Sequence, residues 1–225
     1  MTVLRIENLQ KYYFVPGEGN QVILDVPNFE LSKNEQVALK GRSGCGKSTF
    51  LNTIAGITTI DGGIVEIDGV ATNTLSESQR DKFRGQKIGY IFQSFHLLPG
   101  YSAFENVLLG MSFNGNLNHD LAKDLLVRVG LEDRMLHTPG QLSVGQRQRV
   151  AIARALANTP SLVLADEPTA NLDDELSLAV IELIKQLCHE QDAAMLLVTH
   201  DEQILNQFTC VKNLENINKA YGAKL

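Results

Sequence analysis

The octapeptide Gly41-Arg-Ser-Gly-Cys-Gly-Lys-Ser48 fits the pattern G-x-x-x-x-G-K-[ST], and the rest of the chain is best understood outward from it. It stands between a short apolar run, Gln36–Leu39, and a helical pattern, Lys47–Ala55. A strand that passes through a glycine-rich turn into a helix gathers several backbone N–H groups around a concavity suited to phosphate. The helix start adds its own unsatisfied donors and the positive end of its dipole. On this reading Gly41, Arg42, Ser43, Gly44, Cys45, Gly46, Lys47, Ser48 and Thr49 wrap the triphosphate of ATP. Lys47 reaches the β- and γ-phosphates, and the Ser48 hydroxyl is placed to ligate Mg²⁺.

Further short apolar runs resemble the one that leads into this loop: Ile88–Phe92, Leu162–Ala165 and Met195–Val198. Each is followed by a polar turn, which predicts strands buried on both faces of a parallel sheet. Helices are expected after the first, third and fourth runs, at Lys47–Ala55, Asp174–Glu190 and Asp201–Phe208. Upstream, the alternating stretches Val3–Leu9, Val22–Leu31 and Gly63–Asp68 predict a small antiparallel sheet, with Pro16–Asn20 as a hairpin tip. From about Ala103 to Asn158 the pattern is helical. There Asn118 caps a segment whose Leu121, Leu125, Leu126 and Val129 share one face and which Gly130 closes. Gln146–Ala157 is a further helix. The expected fold is therefore α/β: a P-loop NTPase (RecA-like) core with a small antiparallel β-subdomain and an inserted α-helical subdomain. Residues 1–93 and 159–225 would form the ATP-binding core and 94–158 the helical insertion of one domain.

An acidic balance, with a formal net charge of -6, argues against nucleic acid as the partner, because phosphate-backbone binding wants a basic face. The N-terminus has no apolar signal-peptide core, and no window approaches the 18 or so uncharged apolar residues of a membrane span. The cysteines Cys45, Cys188 and Cys210 are too scattered for a disulfide framework or a zinc site. A reduced, cytoplasmic protein is expected. Cys45 lies among backbone donors and near Lys47, conditions that lower a thiol pKa, so its alkylation is expected to inhibit and MgATP to protect.

Two acids end the third apolar run, in Leu162-Val-Leu-Ala-Asp166-Glu167. A buried strand would place Asp166 at the sheet edge beside the phosphate loop, where it can hold Mg²⁺ through water. Glu167 would then face the γ-phosphate as a general base for the attacking water. Leu142-Ser-Val-Gly-Gln146 precedes the helix at Arg147–Ala157; Ser143 and Gln146 also fit a capping box, and a capped helix start is itself a good anion site.

Taken together and in this order, these segments resemble the nucleotide-binding subunit of an ABC transporter. Gly41–Thr49 matches that family's Walker A, Leu142–Gln146 its signature, and Leu162–Glu167 its Walker B. The resemblance places the Q-loop glutamine at Gln93, the D-loop at Ala170–Asp173 and the switch histidine at His200. It assigns the adenine-stacking aromatic to Tyr13, with Tyr12 as the alternative. It implies Glu167, His200, Lys47 and Gln93 as catalytic, and Ser48, Gln93 and Asp166 around the metal. Ser143, Gly145, Gln146 and Asp173 are implied to serve the site of a second chain, in a nucleotide-dependent head-to-tail homodimer.

Ser94–Pro99, Ala103–Val107 and Leu162–Pro168 look like the lipoprotein-release and macrolide-exporter branch. That likeness implies separate transmembrane permease subunits, and a chain peripheral on the inner face of the membrane. The alternative output is mechanical or regulatory, as in the cell-division branch. Phe95, Leu97, Leu98 and Tyr101 are expected to form a groove for a membrane partner's cytoplasmic helix. Val144 stands where the signature usually has glycine, which is tolerable only where the backbone suits valine.

Overall fold

The structure is a computed structural model that describes residues 1–17, 19–42, 44–112, 115 and 117–222; the expected site residue Ser43 lies outside them. Five strands form one wholly parallel sheet: β3 (Gln36–Lys40), β6 (Ile88–Ile91), β7 (Leu162–Asp166), β8 (Ala194–Thr199) and β9 (Cys210–Asn213). Their order across the sheet is β6-β7-β8-β3-β9. Side chains alternate across the sheet plane, and the core divides accordingly. Val37, Leu39, Leu162, Leu164, Leu196 and Val198 join one apolar cluster; Ala38, Val163, Ala165, Met195 and Leu197 join the other. Continuous apolar runs therefore mean that both faces are covered. Each fully buried aliphatic side chain contributes roughly 1.5–3 kcal/mol.

The first face is covered by α1 (Lys47–Ile54), through Phe50, Leu51 and Ile54, and by an antiparallel sheet of order β2-β1-β4-β5. Its strands are β1 (Thr2–Val15), β2 (Gly19–Ser32), β4 (Gly62–Ile67) and β5 (Val70–Ala71). Both hairpin strands run longer than the alternation implies, because β1 pairs with β2 out to Val15 opposite Gly19. The second face is covered by α3 (Ala103–Ser112), α4 (His119–Arg128), α5 (Val144–Ala155) and α6 (Asp174–Glu190). In α4, Asn118 accepts the Leu121 N–H as expected, while Asp120 and Arg128 complement the helix dipole. In α6, Asp173 caps, two acids fill the first turn, and Val180, Ile181, Ile184, Leu187 and Cys188 form the buried stripe.

Several elements leave no trace in the pattern. Helix α2 (Glu77–Lys87) starts on a capping box of Ser76 with Gln79 but buries no residue, so it has no apolar periodicity. Strand β9 is a short edge strand, Cys-Val-Lys-Asn, with too little alternation to register. The short helices α7 (Glu202–Leu205), α8 (Leu214–Ile217) and α9 (Lys219–Gly222) follow, and α9 returns against β2.

Candidate active site

Register alone brings three loops together. Lys40 lies beside Thr199, and Asp166 beside Val198, so the turns that leave β3, β7 and β8 open side by side at the carboxyl edge of the sheet. The turn after β3 is tight. A Cβ on Gly41 would meet the Cys45 Sγ at 2.5 Å. Gly46, the N-cap of α1, has φ +96° and would drive a Cβ to 3.1 Å from Leu24. Only glycine combines that backbone with that approach.

Lys47 then folds back over the loop. Its Nζ donates to Gly41 O at 2.8 Å and to Arg42 O at 3.2 Å, and lies 3.8 Å from Glu167 Oε1. Glu167 reaches it from a left-handed backbone, φ 45°, an unusual conformation for a residue with a side chain. Its N–H donates to Val198 O at 2.9 Å, which anchors that turn to β8. The carboxylate is held from three directions. The Thr199 hydroxyl donates to Oε2 at 3.0 Å, His200 Nδ1 lies 2.7 Å from Oε1, and Lys47 stands behind. Thr199 in turn accepts the Asp201 N–H at 3.1 Å. The Glu167 side chain is 12% exposed and that of His200 72%, so a held carboxylate stands beside an open imidazole.

Asp166 behaves differently. Burial pushes its carboxyl pKa up against the opposing pull of the Ser48 hydroxyl, and the charge of Glu167 adds to the rise. Its Oδ1 is buried with no hydrogen-bond partner among the described residues. A buried, unpaired carboxylate oxygen beside a hydroxyl is a donor set suited to a hard divalent cation such as Mg²⁺. Burial, with the Asp166 charge second, also raises the pKa of the Tyr90 phenol, which donates to Asn52 Oδ1 at 3.0 Å.

Tyr13, Ile23, Arg42, Gly44, Gly46, Lys47, Ser48, Thr49, Gln93, Asp166, Glu167 and His200 line one cleft of about 890 Å³. The alternation of β1 separates the two tyrosines. Tyr13 is 45% exposed on the cleft wall, whereas Tyr12 ties its N–H to Asp61 and its hydroxyl to Gln10. Gln93 is exposed just beyond β6, its carbonyl accepting from Asn171 Nδ2 at 3.1 Å. Ile23 and Thr199 carry no functional signal in the sequence. The one clue to Thr199 is its place immediately before His200 at a strand end.

Ser143, Gly145, Gln146 and Asp173 do not line this cleft. Ser143 and Gln146 make the anticipated capping box at the start of α5, and Asp173 caps α6. Val144 opens α5 without a positive φ and is 37% exposed, so the helix start accommodates it. Gly145 sits near Leu176, which a Cβ would meet at an ordinary 3.7 Å.

Two expectations need correction. Cys45 is 2% exposed, and its thiol pKa is raised: burial outweighs the pull of Lys47, and Glu215 adds to the rise. In the nucleotide-free chain N-ethylmaleimide is expected to label the half-exposed Cys210 at least about tenfold faster than Cys45, read by peptide mass mapping. Equal rates would mean that the loop opens readily.

The groove also differs. The Phe95 ring lies under the Arg147 guanidinium, Leu97 packs on the core, and only Leu98 and Tyr101 remain exposed. The concave surface nearby is lined by Ile57, Tyr90, Phe92, His96, Leu109 and Arg154. Tyr90 stacks on Phe92 with centroids 4.0 Å apart, and Arg154 donates to the Phe95 carbonyl at 2.8 Å.

Comparison with known proteins sets this geometry in context. The family model described as ABC transporter matches residues 24–170. The chain is 44% identical over 202 residues to the lipoprotein-releasing system ATP-binding protein LolD of Hydrogenovibrio crunogenus, covering 88% of this chain and 87% of that one. It is 41% identical to the LolD of Idiomarina loihiensis, covering 95% of each. An uncharacterised ABC transporter ATP-binding protein of Methanocaldococcus jannaschii is 42% identical over 90% of this chain and 91% of its own. Among solved structures, a dimeric ATP-binding cassette in a post-hydrolysis state, bound to ADP and Pi, superposes with a TM-score of 0.86 at 36% identity. That match covers 97% of this chain and 95% of the cassette. A dimeric bacterial ABC transporter cassette gives 0.84 at 38% identity, covering 93% of each.

Proposed function

We infer the function from one premise: this chain belongs to the ABC transporter family, as the match over residues 24–170 and relatives at 41–44% identity require. It is the ATP-binding and ATP-hydrolysing subunit of such a transporter, powering transport through separate membrane subunits, and it works as a nucleotide-dependent homodimer. The observation that carries the residue assignments is a partition. The phosphate loop, Asp166, Glu167 and His200 converge on one cleft, while Ser143, Gly145 and Gln146 present a capped helix start elsewhere. Such a helix start has N–H groups suited to an anion and lies outside the cleft that its own chain's phosphate loop lines.

Within the cleft, Tyr13 and Ile23 flank the base and Gly41–Thr49 encloses the phosphates. Lys47 exchanges its two carbonyl partners for phosphate oxygens. Ser48, Asp166 and Gln93 would hold Mg²⁺, which when bound neutralises charge between the phosphates. Glu167, its Oε2 held by Thr199, takes a proton from the attacking water through Oε1, with His200 beside it. Asp173 and the signature residues act on the site of the second chain. Residues 94–158 form the helical arm that carries the signature, against a core of residues 1–93 and 159–225. The concave surface lined by Tyr90, Phe92, His96, Leu109 and Arg154 receives a cytoplasmic segment of the membrane subunit, which holds the chain on the inner face of the membrane.

The two LolD relatives point to a lipid-modified protein as the cargo handled by the membrane subunits. Affinity purification of the chain in mild detergent tests this. A polytopic subunit with a large extracytoplasmic domain is expected, together with release of a lipoprotein from vesicles on adding ATP. A co-purifying cell-wall hydrolase activator in place of a transport subunit would overturn the assignment.

A further inference from the structure

The phosphate loop is braced from outside the elements that define it. Beyond β9 the chain turns back, and Asn218, 1% exposed, inserts its amide between the phosphate loop and β2. Its Oδ1 accepts the N–H of Asp25 at 2.8 Å and of Ala220 at 3.3 Å. Its Nδ2 donates to Ile23 O at 2.8 Å and to Cys45 O at 3.4 Å. A side-chain amide has two donor hydrogens and two acceptor lone pairs, and here all four are used. The partners also fix which end is which, since two N–H groups must face oxygen and two carbonyls must face nitrogen. Three residues earlier, Glu215 Oε1 accepts the Arg42 N–H at 3.0 Å. Two side chains of the last segment thus grip the loop at Arg42 and Cys45 and tie it to Ile23 on the cleft wall.

These bonds gain weight from what Lys47 does. Its ammonium holds Gly41 O and Arg42 O. A lysine that turns to the phosphates gives up both carbonyls; within the loop Arg42 O keeps the Cys45 N–H at 3.3 Å, and among the described residues the side chains of Glu215 and Asn218 hold that flank from outside. The wall that faces the base and the loop that faces the phosphates belong to different sheets. Asn218 bonds to both, so it sets the span that ATP must bridge.

We propose that Asn218 and Glu215 are positioning residues of the nucleotide site, holding the loop at a fixed distance from the base-binding wall. The proposal rests on the assignment of this cleft to ATP. Asn218→Asp keeps the acceptor and loses both Nδ2 donations, placing an anion against two carbonyls. It is expected to raise the Kd and KM for ATP roughly tenfold and to leave kcat at saturating ATP within about twofold. Glu215→Ala is expected to raise KM in the same way, and Glu215→Gln, which keeps the Oε1 acceptor, to restore it.

Binding by calorimetry and steady-state hydrolysis, both well below the Tm of each variant, read these effects. Should Asn218→Asp fail to fold, the two Glu215 variants decide. A lower Tm with unchanged Kd and KM would overturn the proposal, as would a KM for Glu215→Gln as high as that for Glu215→Ala. Failure of the ATP assignment itself would show differently, as a wild-type chain that neither binds nor hydrolyses ATP.

Discussion

Glu167→Gln is expected to bind ATP as tightly as the unaltered chain, to hydrolyse it about 10²–10⁴-fold more slowly, and to elute as a dimer when ATP is present. The magnitude follows from the loss of the general base proposed at Glu167, with the rest of the site intact. Glutamine keeps the size of glutamate, accepts the Thr199 hydroxyl, and has no proton-accepting carboxylate. It also removes a negative charge that lies 3.8 Å from Lys47 and would stand beside the γ-phosphate, so the bound state gains rather than loses. ATP that is held and not cleaved keeps two chains together. Size-exclusion chromatography with and without ATP reads the second effect and phosphate release the first. A variant that saturates with ATP and stays monomeric would refute the sandwiched arrangement, and one that hydrolyses at the normal rate would remove Glu167 from the base role.

Why is so much of this site legible in the sequence? Most of its signals are local. A glycine-rich turn between a strand and a helix needs only consecutive residues, and so does an apolar strand ending in Asp166-Glu167. The caps by Asn118 and by Ser143 with Gln146 are three-residue hydrogen bonds, and both appear as the spacing implies. The misses are of another kind. The charge of Lys47 beside Cys45 suggests a reactive thiol, but burial beneath the loop outweighs that charge, and burial is set by residues far away in sequence. The left-handed turn at Glu167 depends on the bond from its N–H to Val198, 31 residues on, which no local pattern records. Asn218 bonds to Ile23 and Asp25 across more than 190 residues. An asparagine near a terminus has no signature of its own. The four apolar residues of 95–101 read as one groove, although Phe95 and Leu97 have partners within the chain. Hydrophobicity along a loop does not say which side chains turn inward.

The second large effect separates a site completed within one chain from a site completed between two. Lys47→Ala removes the ammonium proposed to reach the phosphates, and a loss of about 10²–10³-fold in hydrolysis is expected. Gly145→Asp acts from the other side. Gly145 lies in the first turn of α5 without a positive φ, and a Cβ there would meet Leu176 at ordinary contact distance, so an aspartate fits. An acid in the first turn suits the helix dipole, so the fold is unharmed. Yet it puts a negative charge where the γ-phosphate of the facing chain would rest, so this variant too is expected to be nearly inactive. Neither chain alone can build a working site. In a mixed dimer, the Gly145→Asp chain supplies an intact phosphate loop and the Lys47→Ala chain an intact signature, so one of the two sites is whole. Random pairing makes half of the dimers mixed. A one-to-one mixture should therefore rise from near zero toward about a quarter of the unaltered activity. Were each chain to complete its own site, mixing would give only the average of two inactive parents. Dilution adds a second criterion: recovered activity must fall with the square of concentration below the dimerisation range, whereas activity intrinsic to one chain falls in proportion. The two helix starts that the sequence presents, one after Gly46 and one after Ser143, are thereby tested as the two halves of a single anion site.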